Sequence, residues 1–288
     1  MKKIITRILL ILGILIVLAG IIFVCYGVYK KFTLDIPNPV ATIDVEDYGT
    51  IKVELYPDKA PNTVANFIRL ANRGFYNGTT FHRTMPDFVI QGGAKGGDAS
   101  ASPALSDIVD NIKDSKDKWI KELYNKDSTD EQLKDLLSTN YNIPGEFIAN
   151  GFNNNIKHEE GVISMARSDY STYGYLKEGY NSAGCQFFIM TADNTQLDGV
   201  YAAFGKVIEG MEVVKEISNV EVYYRDSELG KDEEAPKDED GNTISSDTPK
   251  EQPVMKSVSV ETYGVDYGIP ETVEPFDVSS LYSQLMGY

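Results

Sequence analysis

A chain of 288 residues with 42% hydrophobic and 11% aromatic side chains carries enough apolar surface for a packed core, which excludes disorder over most of its length. Its formal net charge of −16 repels phosphate backbones, so nucleic acid is not an expected partner; residues 1–31 hold five cations and no acid, so the remainder is more acidic still. The two cysteines, Cys25 and Cys185, fall in an apolar N-terminal run and at the entry to an apolar strand, so no disulfide is expected.

Ile8 to Val28 is an uncharged run of 21 residues, which as a helix spans about 30 Å, the thickness of a bilayer's hydrocarbon core. Residues 1–31 therefore read as a transmembrane anchor. Lys2, Lys3, Arg7 and the terminal amine precede the run and Lys30 and Lys31 follow it, a modest bias that predicts a single-pass protein with a cytoplasmic N-terminus and an extracellular domain. A cleaved signal peptide is the alternative, but the run is long for one and no A-x-A pattern follows it. Phe23 and Val24 are bulky where a lipidated Cys25 wants small neighbours, which leaves lipidation a lesser option. Residues 32–39, with Pro37 and Pro39, read as a tether.

Val40–Val45 and Thr50–Tyr56 alternate as a hairpin around Asp47-Tyr48-Gly49. Asp58 to Gly74 has a helix signature: Pro61 in the first turn, Val64, Phe67, Ile68 and Ala71 at helical spacing, and a closing glycine, with Arg69 and Arg73 on the outer side. Then comes FHRTMPDFVIQGG, residues 81–93. On an extended segment Val89 and Gln91 share a face, and Arg83 reaches that face after the turn at Met85-Pro86-Asp87. This describes a fixed cation and an amide beside an apolar pocket; a plain strand with a solvated arginine accounts for the same residues.

The stretch 99–142 is mostly polar and helix-prone. Trp119, Ile120, Leu123 and Tyr124 recur at helical intervals, which predicts a small helical excursion lying against the domain, either a decorated surface loop or a lid. His158-Glu159-Glu160 lacks a second histidine ligand nearby, so no metal is expected, and His82 reads as a packed structural residue. Residues 168–180 carry four tyrosines just beyond Arg167, read as a loop at the rim whose rings either pack on the surface or, the favoured reading, touch an extended polypeptide. QFFIMT from Gln186 and Phe204–Ile208 read as buried strands, and Gly210–Val220 as a second helix. Residues 225–252, rich in Asp, Glu, Lys and Ser, read as a mobile solvated loop. Pro253–Thr262 supplies a last strand. In 263–288, an appendage, Leu281 and Leu285 suggest a short helix.

The run FHRTMPDFVIQGG, together with GVISMARS from Gly161, NSAGCQFFIMT from Asn181 and LDGVYAAFGKV from Leu197, resembles the cyclophilin family of peptidyl-prolyl cis-trans isomerases over residues 40–262. The resemblance implies a mainly β fold, a closed eight-stranded antiparallel barrel capped by two helices, here with a helical insertion and an N-terminal transmembrane helix. It implies an enzyme without a cofactor, acting on proline-containing polypeptides, with Arg83, Gln91 and Phe88 as catalytic residues. Val89, Phe188 and Leu197 would complete the apolar floor, Ala166 and Arg167 an edge along the peptide, and Gln186 and Tyr201 further contacts. Tyr201 stands where many relatives have His, Gln196 where many have Trp, Val89 where Met is common and Arg167 where Asn is common. Loss of the indole donor at position 196 predicts weakened cyclosporin binding. The expected role is assistance to the folding of exported proteins outside the membrane; the alternative is a proline-peptide binding module or scaffold with weak or no catalysis.

Overall fold

The computed structural model describes residue 13 and residues 16–24, 36–95, 102–115, 117–124, 127–225, 228–229 and 234–277. The chain divides into two units, Met1–Pro37 and Asn38–Tyr288. In the first, residues 16–24 are helical with exposed apolar side chains such as Ile22 and Phe23. Most of the expected anchor lies outside the described residues, and no helix among those described is long and apolar enough to cross a membrane.

The second unit is built on eight antiparallel strands: β1 (Val40–Val45), β2 (Gly49–Leu55), β3 (Thr80–Met85), β4 (Val89–Ala94), β5 (Val162–Met165), β6 (Phe187–Met190), β7 (Ala203–Glu209) and β8 (Met255–Glu261). They form one strongly curled sheet in the order β3-β4-β6-β5-β7-β2-β1-β8. Strand alternation sorts the side chains into two apolar groups. Ile90, Ile163, Phe187, Ile189 and Phe204 point inward and join Phe67 and Tyr76 in the main core. Val89, Val162, Phe188, Met190 and Ala203, their neighbours in sequence, form a separate cluster on the outer face.

Helix α1 (Pro61–Asn72) covers the core with Val64, Phe67, Ile68 and Leu70. Pro61 fits its first turn because that turn's N–H groups need no intrahelical partner. Ala60 at the N-cap has no side chain to cap with, and the acceptor comes from far along the chain: the buried Glu146 takes the Asn62 N–H at 3.0 Å and the Thr63 N–H at 2.7 Å. Helices α2 (Lys118–Leu123) and α3 (Asp130–Leu137) form the expected excursion, with Ile120 and Leu136 buried. Arg69 and Arg73, on the outer side of α1, hold it: Arg69 Nε donates to Ile108 O at 2.6 Å and Arg73 Nη2 meets Asp110 at 2.7 Å. Helix α4 (Leu176–Tyr180) lies in the tyrosine-rich loop, and α5 (Met211–Ser218) is the second helix expected from periodicity.

The ladder around the curled sheet is not continuous, which corrects the closed barrel implied by resemblance. Strands β3 and β8 meet at their starts, where Phe81 N–H donates to Pro253 O at 2.9 Å and Met255 N–H to Thr79 O at 2.7 Å. Further along, other groups cover the two edges. Asn77 and Asn72 accept the Val258 and Val260 N–H groups at 3.0 and 2.8 Å, while Thr84 N–H donates to Asp247 O at 2.9 Å. The Gly92-Gly93 pair is dictated by packing in this region. A side chain on Gly92 would lie 2.6 Å from Thr80 O, and Gly93 has a φ of 85°.

Two further expectations change. The acidic stretch 225–252 is docked rather than free where it contacts β3, since Asp247 is 3% exposed. Tyr170 and Tyr175 are engaged by the C-terminal segment, with the Phe276 ring 5.3 and 4.8 Å from theirs, so they pack within the chain instead of standing ready for a polypeptide. The described part of that segment is tied down at residues 271–273. Glu271 and Asn62 exchange bonds, Trp119 Nε1 donates to Thr272 O at 3.1 Å, and Val273 pairs with Asn142. Leu281 and Leu285 lie outside the described residues.

Candidate active site

The β3–β4 hairpin turns at Pro86-Asp87, with Asp87 at a φ of 55°, and its register sets Arg83 opposite Gln91 and Met85 opposite Val89. Strand β6 pairs with β4 so that Phe188 lies opposite Gln91. Arg83, Phe88, Val89, Gln91, Ala166, Arg167, Phe188, Leu197 and Tyr201 thereby line one hollow of about 170 Å³ on the outer face of the sheet. Nine of the ten site residues read from sequence converge there. The tenth, Gln186, lies in the wall of an adjoining cavity of about 420 Å³ that shares Gln91, Ala166 and Arg167, and it accepts a hydrogen bond from Gln91 Nε2 at 3.1 Å.

The apolar floor is fixed from beneath. Phe188 packs edge-on against Tyr201 with ring centres 5.5 Å apart, and the His158 ring stacks behind Phe188 at 6.2 Å. His158 is buried; its Nε2 lies 2.8 Å from Ser164 Oγ and its Nδ1 3.3 Å from Asp198 Oδ1. Burial lowers its pKa, against the opposing pull of Asp198, which favours a neutral ring as a packing element. His82 is also buried, and its pKa falls to about 4, mainly through burial and secondarily through the Arg83 charge. Cys185, on the wall of the larger cavity, has its thiol pushed up to about 12 by burial and is no nucleophile at neutral pH.

The guanidinium of Arg83 is half-exposed over the hollow. Its Nη2 lies 3.2 Å from Met85 Sδ and 3.9 Å from the buried Asp247 carboxylate. Gln91 faces Arg83 across the ladder, but its amide donates to Gln186. Arg167 is held differently from a free edge residue. It lies over Tyr201 at 4.7 Å and Tyr180 at 5.1 Å, and its Nε donates to Val200 O at 2.9 Å. The Ala166 N–H is bonded to Gln186 O at 2.9 Å. Met85, His158, Asp198 and Asp247 were not legible as site neighbours. The sequence places Met85 only in a turn, and the other three reach the site through long-range docking that local periodicity does not encode.

Among the described residues no group of three or more His, Cys, Asp or Glu side chains is arranged to hold a metal ion. The arrangement is a small hollow with an apolar floor and two guanidinium groups, Arg83 half-exposed at the rim and Arg167 tied down over Tyr201, suited to conformational chemistry on an apolar residue. Residues 40–237 match the family model described as cyclophilin type peptidyl-prolyl cis-trans isomerase/CLD, and the chain belongs to this family of isomerases. It is 35% identical over 178 residues to peptidyl-prolyl cis-trans isomerase B of Bacillus subtilis, covering 62% of this chain and 90% of that one. It is 31% identical over 178 residues to peptidyl-prolyl cis-trans isomerase-like 1 of Mus musculus, covering 62% of this chain and 79% of that one. Among solved structures it is similar to a Cryptosporidium parvum cyclophilin type peptidyl-prolyl cis-trans isomerase, at 22% identity and a TM-score of 0.49, covering 77% of this chain and 98% of that one.

Proposed function

We propose that the domain catalyses cis-trans exchange of X-Pro bonds in exported polypeptides, with Arg83 as the stabilising donor and the N-terminal apolar run as a membrane anchor that holds the domain on the outer side. Amide resonance sets a barrier of about 18–20 kcal/mol, and uncatalysed X-Pro exchange takes tens to hundreds of seconds. In the twisted state the proline nitrogen becomes pyramidal and regains its lone pair. A guanidinium above that nitrogen then stabilises the twisted state more than either planar ground state, and a gain of 1.36 kcal/mol is worth about tenfold in rate. Phe88, Val89, Phe188, Leu197 and Tyr201 hold the proline ring while the preceding carbonyl turns. Gln91 and Gln186 act as a coupled polar pair toward the substrate backbone. Because the Ala166 N–H is already engaged, contacts along the edge fall to the Ala166 carbonyl and the Arg167 backbone.

The observation that carries this reading is the rim position of Arg83, opposite Gln91 and over the same hollow as Phe88 and Phe188. In an X-Pro peptide assay Arg83→Ala should lose about 10²-fold or more in kcat/KM with its circular dichroism unchanged; equal rates for the two proteins refute the assignment. The anchor is supported by the uncharged 21-residue run with cations on both flanks. Protease added to intact cells should digest the domain, and a protected domain overturns the orientation.

A further inference from the structure

We infer that Asp247 is a positioning residue for Arg83, supplied by the acidic insertion; this rests on the reading of Arg83 as the donor to the proline nitrogen. The matched family segment ends at residue 237, so this carboxylate comes from chain beyond it. Asp247 is not a surface acid that happens to lie nearby. Its side chain is 4% exposed, with Oδ1 2.9 Å from Arg225 Nη1 and Oδ2 3.9 Å from Arg83 Nη2. Its backbone is equally fixed: its N–H donates to Tyr224 O at 3.0 Å, and its carbonyl accepts the Thr84 N–H at 2.9 Å. Arg225 Nη1 also reaches Thr84 O at 3.0 Å. The insertion therefore grips both backbone polar groups of the residue that follows Arg83, and from that fixed position it presents a carboxylate oxygen to the guanidinium.

A buried carboxylate needs charged or hydrogen-bonding partners, and Arg225 reaches its Oδ1. Oδ2 faces Arg83, whose long side chain would otherwise carry its rotamer freedom into the ordering step. Holding one edge of the guanidinium fork between Asp247 and Met85 Sδ leaves the remaining N–H groups free to meet substrate in the hollow without a prior search of rotamers. At 3.9 Å the pair is an electrostatic guide and not a tight bond, so the arginine keeps its capacity to donate elsewhere.

The test is a double-mutant cycle on the full chain, measuring kcat/KM for an X-Pro peptide in wild type, Asp247→Ala, Asp247→Asn, Arg83→Ala and the double variants. Asp247→Ala should lower kcat/KM about tenfold and Asp247→Asn about threefold, since the amide keeps the shape but not the charge. In the Arg83→Ala background either change should alter the residual rate by less than about twofold, because the carboxylate then has nothing to aim. An effect of Asp247→Ala that is absent, or equal with and without the Arg83 guanidinium, overturns the inference. If Asp247→Ala does not fold, Asp247→Asn completes the same cycle and is read by the same criteria. Should Arg83→Ala itself keep full activity, the reading of Arg83 fails first, and that result is distinct from an Asp247 variant that behaves like wild type beside an inactive Arg83→Ala.

Discussion

Acid should weaken this domain through His82, the residue immediately before Arg83. The side chain is 7% exposed, and burial, with the Arg83 charge adding to it, lowers the imidazole from 6.5 to about 4, while Gln186 pulls weakly upward. An unfolded imidazole titrates near 6.5, so between the two values the unfolded chain binds a proton that the folded chain refuses. Stability therefore rises with pH across this window and is lost as pH falls through it. Between pH 7 and pH 5 the unfolded state gains about 2 kcal/mol of protonation free energy and the folded state almost none; below pH 4 the loss levels off at about 3 kcal/mol. Urea unfolding of residues 38–288 at pH 7 and pH 5, for wild type and His82→Gln, isolates the effect. His158 is also held low by burial and adds loss of the same sign, but it does so in both proteins and cancels in the difference. Wild type should lose about 2 kcal/mol more than the variant on acidification. Parallel losses would refute the argument that His82 is buried neutral. A second reading comes from its ring resonances, whose titration should move upward in Arg83→Ala.

Two further outcomes test the scaffold and the rim. Glu146→Ala removes the acceptor for the Asn62 and Thr63 N–H groups, and the cost should be about 2 kcal/mol in urea unfolding, because burial of the carboxylate, which raises its pKa, offsets part of the two charge-assisted bonds; a change under about 0.5 kcal/mol would place the capping of α1 elsewhere. Gln196 is exposed on the turn beside Leu197, so Gln196→Trp should be tolerated by the fold and should raise cyclosporin affinity by about tenfold, the worth of one added hydrogen bond, by titration calorimetry. An unchanged affinity would refute the expectation that the missing indole weakens binding.

What the sequence carried into the structure, and what it did not, follows from the range of the forces involved. Strand alternation is a local property, and it was enough to put Val89 and Gln91 on one face of the strand; the structure makes that the outer face, with Val89 in the outer cluster and Ile90 in the core. Helix α1 was legible for the same reason, through Pro61 and the spacing of Val64, Phe67, Ile68 and Ala71. The segment 225–252 was not, since a composition poor in apolar residues predicts failure to form a core of its own and says nothing about docking on a core that already exists. Asp247 has no periodic signature: its burial depends on Arg225, twenty-two residues away, and on the unpaired edge of β3. The incomplete ladder connects these observations. A sheet closed along its whole length would have no free N–H at Thr84 and no place for the insertion to dock, so the carboxylate beside Arg83 exists because the ladder parts after Phe81.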